Sequence, residues 1–395
     1  MAYRILSLDG GGSWALIQVK ALLDIYGAAA TGRQVLQDFD MVAANSGGSI
    51  VLGGLIEDYP LAKLLALFQD EHQRTAIFSA TDEVGDRVLH AITGLGPRYS
   101  AEEKLPALQN VLPIKGNIPF DQMMNGIQRT GTTRDVHALI VAFDYDRLRA
   151  RYFRSAAASG ASWGTGDAAK VTLAEAIHAS TNAPVNYFDG PATFPEFADR
   201  YWDGAISGCN NPVLAAVTEA IVLDQDPGEI VALSIGTASV VLPWPQDIDN
   251  PNPFEQPIDD SGVITDLKKL AFSILDDPPD VATFHAHVMT RRGAKLPHPG
   301  PDSRIVRMNP QISPVGSPGA WTAPGGMTAA QFKSLANLEM DAIKQAQVDA
   351  ITRYADLWLQ NKAPNQPIRM DRNTLKAELG QETYSAAKAA WAAIK

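Results

Sequence analysis

Short segments rich in apolar residues mark the candidate strands of this chain. The first two runs occupy residues 3–8 and 39–44. Continuous apolar runs of this length are typical of strands that are buried on both faces of a sheet. Four later segments have the same character and are predicted to be strands: residues 136–143, 150–154, 230–235 and 304–308.

Apolar residues with helical spacing follow most of these runs. One such pattern begins near Ser13, and a second extends from Ser49 to Ile56. Further helical patterns cover residues 61–69, 171–180, 211–222 and 265–275. Because strands and helices alternate, we expect an α/β fold with a mostly parallel central sheet that is covered by helices on both faces.

The C-terminal part of the chain has a different pattern. Residues 243–262 and 297–326 are rich in Pro, Gly, Asn and Asp, which predicts long surface loops. Residues 328–361 predict one or two helices, and the tail that follows predicts another short helix. We therefore expect a main domain over residues 1–325 and C-terminal helices over residues 326–395 that pack on it or extend it.

The charge of the chain narrows the choice of partners. Its 395 residues carry a formal net charge of −11 at pH 7, and 46% of them are hydrophobic. An acidic surface repels phosphate groups, so nucleic acid is not an expected partner and strong docking on anionic membranes is disfavoured. The single cysteine, Cys209, excludes a disulfide within the chain.

The same sequence gives an expectation for the compartment. No apolar stretch approaches the roughly 20 residues that a membrane-spanning helix needs. The apolar run near the N-terminus is too short and too early for a signal peptide. We therefore expect a cytoplasmic protein, with export by a route without a cleaved signal left open.

Ser46 occupies a sharp turn between a predicted strand and a predicted helix. Residues 44–48 read A-N-S-G-G, close to the G-x-S-x-G turn on which many acyl-transfer serines sit. Small neighbours are needed there because the turn brings them against adjacent backbone, and the amides that begin the helix favour negative charge. The alternative interpretation is an ordinary strand–turn–helix joint that uses glycine for its geometry.

Three consecutive glycines, Gly10, Gly11 and Gly12, follow Asp9 at the end of the first predicted strand. Consecutive backbone amides in such a loop can converge on an anion. A dinucleotide-binding loop is one interpretation, although the acidic ribose contact of that fingerprint is missing. The phosphate loop of an actin-like sugar kinase, formed by Asp9–Ser13, is a second interpretation. An oxyanion hole that faces the serine turn is the third.

The third motif is Asp203-Gly204-Ala205. An acid followed by two small residues can bring its carboxylate close to another loop. An ordinary turn aspartate has the same local sequence. The order of the motifs along the chain, with the glycine loop first, the serine turn second and the acid third, favours a catalytic role for Asp203.

These three motifs resemble those of the patatin-like phospholipases, which carry D-G-G-G-x-R-G, then G-x-S-x-G, then D-G-G or D-G-A. Residues 39–48 resemble the family's nucleophile block, and residues 176–188 resemble its A-S-x-A-x-P-x-Y-F block. Residues 233–237 are similar to its S-L-G-T strand end. The resemblance covers about residues 3–310. It implies a three-layer α/β/α fold of the patatin, FabD and lysophospholipase type, with a helical C-terminal region.

The resemblance also implies an activity, that of a serine lipid acyl hydrolase of the phospholipase A or lysophospholipase type. Ser46 is the implied nucleophile and Asp203 its only catalytic partner, and the reaction passes through an acyl-enzyme. No cofactor or metal is implied. A lipid or another acyl ester is the implied substrate, with transient contact to a membrane interface. The oxyanion hole is assigned to the backbone amides of Gly10, Gly11, Gly12 and Gly47.

The chain departs from the family pattern at three positions. Trp14 stands where the family has Arg, and Ala15 stands where it has Gly. Ala44 replaces the first glycine of the serine turn. We assign Trp14 to substrate binding and expect these departures to affect the substrate range and the rate more than the fold.

Other functions remain open at this point. One is a carboxylesterase of the same fold that acts on small esters, which Trp14 favours. Another is the nucleotide-binding kinase, and a third is a binding protein that keeps the fold without activity. A Ser–His–Asp triad is the rival mechanism, and its candidate bases are His285, His287 and His298. We expect the first two of these to be a surface pair.

Overall fold

The computed structural model describes ten parts of the chain. These are residues 1–71, 74, 101–155, 171–184, 188–194, 197–258, 260–291, 303–338, 342 and 344–395.

Twelve strands are formed by the described residues, most of them in one sheet. In chain order they are β1 (Tyr3–Leu8), β2 (Met41–Asn45), β3 (His137–Asp144), β4 (Arg149–Arg154), β5 (Ala192–Phe194), β6 (Phe197–Asp203), β7 (Ile230–Ile235), β8 (Ser239–Val240), β9 (Ile305–Met308), β10 (Gln311–Ile312), β11 (Arg369–Met370) and β12 (Ala377–Leu379).

Helices separate these strands along the chain. The α-helices are α1 (Leu16–Tyr26), α2 (Gly32–Leu36), α3 (Gly47–Ile56), α4 (Leu61–Gln69), α5 (Ala101–Val111), α6 (Leu173–Ser180), α7 (Val213–Val222), α8 (Val263–Met289), α9 (Ala329–Ala336), α10 (Gln345–Leu359) and α11 (Tyr384–Ile394). Short 3-10 helices cover Gly12–Ala15, Gly204–Ser207, Pro227–Glu229 and Pro324–Gly326.

The main sheet has the strand order β5-β6-β3-β2-β1-β7-β9, with β4 also paired to β3. Every pairing from β3 across to β9 is parallel, whereas β4, β5 and β6 pair in the antiparallel sense. The carboxyl ends of parallel strands meet at one edge of a sheet, which is where sites form in such folds. The loops after β1, β2 and β7 therefore lie next to one another.

Alternate residues of β1 point to two separate apolar layers. Leu6 and Leu8 belong to the larger core, which also contains residues of α1, α3, α4 and α6. Tyr3 and Ile5 belong to the smaller core, which contains residues of α7 and α8. The sheet is thus covered on both faces, and the predicted α/β architecture with a mostly parallel sheet is confirmed.

The C-terminal helices pack on the larger core. Trp358 of α10 and Trp391 of α11 are fully buried there, and the ring of Trp391 stacks on Phe39 at 5.8 Å. The division into residues 1–325 and 326–395 stays a prediction. Within the described ranges, no helix combines the length and the apolar character that crossing a bilayer requires.

Helix α8 differs most from its prediction. The helical pattern ends at residue 275 because Pro278 and Pro279 follow, yet α8 continues through both prolines to Met289. Proline inside a helix removes its own N–H and crowds the carbonyl four residues earlier, and packing can offset that cost. Pro279 is buried and its carbonyl accepts a hydrogen bond from the Thr283 hydroxyl at 2.9 Å.

Candidate active site

Strand β3 brings the serine turn and the acid together. Strand β4 pairs along residues 139–144 of β3, so β2 and β6 share the opposite edge. On that edge Asn45, the last residue of β2, pairs with Val141, and Asp203, the last residue of β6, pairs with Ala142. Because β2 and β6 run in opposite directions, their carboxyl ends face each other.

Ser46 has a strained backbone. Its φ is 46° and its ψ is −125°, a combination that L-amino acids rarely adopt. The Ser46 N–H donates to the Ser180 hydroxyl at 2.9 Å, and this contact helps to hold the turn. Strain of this kind is found at the sharp strand-to-helix turns that expose a nucleophilic serine.

The two residues after Ser46 must be glycines because the turn lies against the glycine loop. A methyl group at Gly47 would lie 2.5 Å from the carbonyl oxygen of Gly12. A methyl group at Gly48 would lie 2.6 Å from the carbonyl oxygen of Asp9. The motif at residues 44–48 therefore brings its backbone into direct contact with the loop at residues 9–12.

The Asp203 carboxylate is buried, with 4% of the residue exposed. Its Oδ1 accepts from the Ala205 N–H at 2.8 Å and from Asn45 Nδ2 at 3.1 Å. The Ser46 hydroxyl makes a hydrogen-bonding contact with the same carboxylate. The structure thus places the predicted nucleophile and the predicted acid side by side, although 157 positions separate them in the sequence.

The surroundings of Asp203 change the pKa of its carboxyl group. Burial raises the pKa of Asp203 above its ordinary value, because a carboxylate loses hydration in the protein interior. Hydrogen bonds from Ser46, Ala205 and Asn45 oppose this rise, and so does the charge of Lys104. The carboxyl is therefore a stronger base than an exposed aspartate.

The glycine loop lies directly beside Ser46. A methyl group at Gly10 would lie 2.9 Å from Ser46 Cβ, so the loop and the nucleophile are in close contact. The Gly10 N–H donates to the Asn210 carbonyl at 2.8 Å, and the Gly10 carbonyl accepts from the Thr237 hydroxyl at 2.5 Å. The prediction that the Gly10 amide serves an oxyanion therefore needs revision, because this amide already has an acceptor.

Gly11 and Gly12 have backbone conformations that favour glycine, with φ of 154° and 54°. No acceptor for either amide is present in the part of the chain that the structure describes. The amide of Gly47 begins α3, where the first N–H groups of a helix have no partner within the helix. The assignment of these three N–H groups to an oxyanion hole stays a prediction.

A buried ion pair supports the loop from below. Asp9 Oδ2 accepts from Arg307 of β9 at 2.6 Å, and both side chains are 3% exposed. Arg307 also donates to the Ser234 hydroxyl at 2.8 Å. Burial raises the pKa of Asp9 to about 6, and the charge of Arg307 opposes that rise. The pair connects the end of β1 to β9 across β7.

Trp14 is 5% exposed and packs in the larger core. It lies in the short 3-10 helix that follows the glycine loop, so its ring is close to the site in sequence but is covered. Trp14 is therefore not an exposed residue at the rim of a substrate cleft. Its assignment to substrate binding stays a prediction, in which the ring forms part of a cavity wall.

The candidate histidines of a Ser–His–Asp triad differ from one another in burial and contacts. His287 was expected at the surface, but it is 4% exposed and its Nδ1 lies 2.9 Å from the Ser303 hydroxyl. Helix α8 continues past its predicted end and buries this face of the helix. His285 is exposed as expected, and His298 lies outside the described residues. In the described ranges, no group of three or more His, Cys, Asp or Glu residues could hold a metal ion.

Sequence reasoning missed three residues around the two functional side chains, and a fourth, Arg307, that pairs with Asp9. Asn45 contacts Asp203, and Ser180 contacts both the Ser46 N–H and, at 3.4 Å, Asn45 Oδ1. The block at residues 176–188 contained Ser180, but its partner was not predictable from the pattern. The other two, Lys104 and Arg307, are charged residues in otherwise apolar positions, which was the available signal.

A family model described as patatin-like phospholipase matches residues 6–217, more than half of the chain. The match spans the glycine loop, the serine turn and Asp203. The chain therefore belongs to the patatin-like phospholipase family. The predicted family membership is confirmed, and it favours a lipid hydrolase over the kinase interpretation of Asp9–Ser13.

Comparison with other proteins adds little beyond the family. No curated protein matches the chain. Among solved structures, VipD from Legionella pneumophila is similar with a TM-score of 0.33 and 10% sequence identity, over 90% of this chain and 67% of VipD. A similarity of this extent carries no argument about the site.

Proposed function

We propose that this protein is a serine lipid acyl hydrolase of the phospholipase A or lysophospholipase type. In this proposal Ser46 and Asp203 form a catalytic dyad that cleaves carboxylic esters through an acyl-enzyme. One observation carries the proposal: the hydroxyl of a serine in a strained strand-to-helix turn contacts a buried carboxylate whose pKa is raised. Family membership provides independent support.

The reaction begins with attack of Ser46 Oγ on the ester carbonyl carbon. Asp203 accepts the hydroxyl proton as the new bond forms, and the raised pKa of its carboxyl favours that transfer. The same proton passes to the leaving alkoxide oxygen as the tetrahedral intermediate collapses. Asp203 then accepts a proton from the water that attacks the acyl-enzyme. As the second tetrahedral intermediate collapses, this proton passes to Ser46 Oγ and the carboxylic acid is released.

Backbone amides stabilise the oxyanion in this mechanism. We assign the donors to Gly11, Gly12 and Gly47, whose N–H groups have no other acceptor among the described residues. Gly10 has a different role, because its missing side chain lets the loop approach Ser46. Loss of one donor from such a hole typically costs about 3 kcal/mol of transition-state stabilisation.

Asn45 and Ala205 take the place of the aspartate of a triad in one respect, because they orient the group that acts as base. In a triad, the base needs a partner that fixes its orientation. Here the donors from Asn45 and Ala205 hold Oδ1 of the Asp203 carboxylate, with lengths of 3.1 Å and 2.8 Å. The acid is therefore oriented toward Ser46 by neutral hydrogen-bond donors.

A carboxylesterase that prefers small esters is the second candidate. The observation that favours it is Trp14, a large buried ring directly after the glycine loop, where the family has Arg. A buried indole shortens an acyl pocket and brings no positive charge for a phosphate headgroup. The dependence of kcat/KM on acyl chain length separates the two: a maximum at long chains supports the lipid hydrolase.

Hydrolysis of p-nitrophenyl esters by the purified chain and by Ser46→Ala tests the proposed function. We expect turnover by the wild type and a loss of about 10⁴-fold or more in the variant, as in other serine hydrolases that lose the nucleophile. Ser385→Ala is the matched control, because Ser385 is an exposed serine in the first turn of α11.

The control should retain full turnover. Hydrolysis by Ser46→Ala at the wild-type rate would overturn the assignment of the nucleophile. Release of phosphocholine-containing lysolipid and free fatty acid from a phosphatidylcholine vesicle then establishes the lipid substrate. Turnover of short esters with no release of fatty acid from vesicles would support the small-ester enzyme instead.

A further inference from the structure

A buried lysine lies close to the proposed acid. Lys104 lies in α5, and its residue is 1% exposed. The other buried positions of α5 are Ala101, Leu108 and Val111, so Lys104 occupies the face of the helix that packs inward. An ammonium group loses its hydration there, and such a group is retained only where other contacts compensate.

The Lys104 amine has two defined contacts. Nζ donates to Asn182 Oδ1 at 3.2 Å, and it lies 3.8 Å from the centre of the Phe188 ring. A ring face attracts a cation, and an amide oxygen accepts a hydrogen bond from it more strongly than from a neutral amine. Both contacts favour the charged form of the side chain.

Asn182 connects this lysine to the proposed acid. Its backbone carbonyl accepts from the Asp203 N–H at 2.9 Å, while its side chain accepts from Lys104. Its Nδ2 donates to the Gly190 carbonyl at 2.6 Å, which fixes the orientation of the amide. The three residues therefore form one hydrogen-bonded unit that ends at the backbone of Asp203.

Two titratable groups interact electrostatically with Lys104, one in β6 and one in α6. Asp203, at the end of β6, favours the charged amine, whereas burial lowers the pKa of Lys104 well below its ordinary value. His178 of α6 is buried, and burial together with the charge of Lys104 lowers its pKa. Both causes favour the neutral form of His178, which adds no positive charge beside the ammonium group.

We propose that Lys104 is a positioning residue whose positive charge keeps Asp203 ionised and able to accept the Ser46 proton. This inference rests on the proposed function. Without the lysine, a buried carboxyl loses a cation that opposes its protonation, and the fraction of enzyme with a competent base falls. The role is electrostatic, because Lys104 itself has no contact with Ser46 in the hydrogen bonds of the described residues.

The proposal makes a prediction for the pH profile of kcat/KM. Protonation of Asp203 defines the acidic limb, and removal of the Lys104 charge moves that limb to higher pH. Removal of one opposite charge near a carboxyl group is typically worth about one pH unit or more. Lys104→Met should thus lose about tenfold more kcat/KM at the acidic end of the profile than at its plateau.

The experiment compares the wild type, Lys104→Met and Lys104→Arg on a neutral p-nitrophenyl ester, read at a wavelength that is insensitive to ionisation of the product. Methionine matches lysine in length, and exchange of a buried charge for an apolar group is often neutral or stabilising for the fold. Lys104→Arg retains the charge, so its acidic limb should coincide with that of the wild type.

Labelling of Ser46 by a fluorophosphonate in each variant separates the two proposals. If the wild type is not labelled at Ser46, the proposed function is wrong. If labelling and activity are present but the acidic limb of Lys104→Met coincides with that of the wild type, only the lysine inference is overturned. A uniform fall in kcat/KM across the whole pH range would likewise show a structural role and overturn it.

Discussion

Two buried aspartates, Asp9 and Asp203, lie in the carboxyl-end loops of one sheet and differ in what neutralises them. Burial raises the pKa of both. Asp9 has a direct ion pair with Arg307 at 2.6 Å, whereas Asp203 is held by hydrogen bonds from Asn45, Ala205 and Ser46. The first carboxylate is paired directly with a permanent cation. The second is held by mostly neutral donors, one of which is the proposed nucleophile.

This difference separates an aspartate that supports the structure from one that takes part in the proposed reaction. Arginine stays protonated at all relevant pH values, so the Asp9–Arg307 pair does not exchange protons with a substrate. It contributes a fixed connection between β1 and β9 beneath the glycine loop. Asp203 can accept a proton because no strong cation contacts its oxygens directly in the described structure. Burial of an acid alone therefore does not identify a catalytic base. The group that contacts its oxygens determines whether the acid can accept a proton.

Replacement of the second aspartate should have the largest effect on activity. In Asp203→Asn, the proton of Ser46 has no acceptor, and kcat/KM should fall by about 10⁴-fold, as when the acid of a triad is lost. The free energy of unfolding should stay equal or rise, since a buried carboxylate becomes neutral. Ester hydrolysis and urea denaturation measure the two quantities; retained activity would contradict the proposed role of Asp203.

Arg307→Met should, in contrast, mainly reduce the stability of the fold. The Asp9 carboxylate then has no cation in a buried position, which typically costs about 4 kcal/mol of stability. Denaturant titration measures this loss. The double variant Asp9→Asn/Arg307→Met removes both charges and should recover most of it. A single variant as stable as the wild type would show that the pair does not support the loop.

The pH dependence of stability should also distinguish Asp9. Its folded pKa is about 6, above the ordinary value of 3.8. A raised folded pKa gives stability that is complete below pH 4 and is lost as pH rises through 6. Relative to Asp9→Asn, the unfolding free energy of the wild type should therefore fall by about 3 kcal/mol between pH 4 and pH 7. A constant difference between the two proteins would contradict this pKa.

Asn45→Ala should have the smallest effect. It removes one donor from the Asp203 carboxylate, and a hydrogen bond to a charged group is worth about 1.5 kcal/mol, or roughly tenfold in kcat/KM. In the Asp203→Asn background the same substitution should change little, because the ionised acceptor is absent. Equal losses in both backgrounds would mean that Asn45 acts on the turn and not on the acid.

The sequence was sufficient to predict the parallel sheet and to locate the three motifs. Apolar runs located β1, β2, β3 and β7, because strands buried on both faces are rich in apolar residues. Glycines at 10, 47 and 48 indicated close approaches of backbone, which the structure shows. These features are local, or they repeat a pattern that a family shares.

Partners that are distant in sequence were not predictable. Asp9 and Arg307 are 298 positions apart, and no local pattern pairs them. Lys104 follows two exposed glutamates, and this local sequence is typical of a solvated helix surface. Only the helical spacing from Lys104 to Leu108 and Val111 indicates that it lies on the buried face. Helix α8 was predicted too short, because the effect of Pro278 on a helix depends on packing that only the fold provides.

Mass spectrometry of the fluorophosphonate-labelled protein tests the central claim most directly. We predict a single adduct on Ser46 in the wild type, no adduct in Ser46→Ala, and labelling of Asp203→Asn that is slower by about three orders of magnitude or more. An adduct on a different serine would contradict the account. Equally fast labelling of Asp203→Asn would also contradict it, because Ser46 would then be activated by some other group.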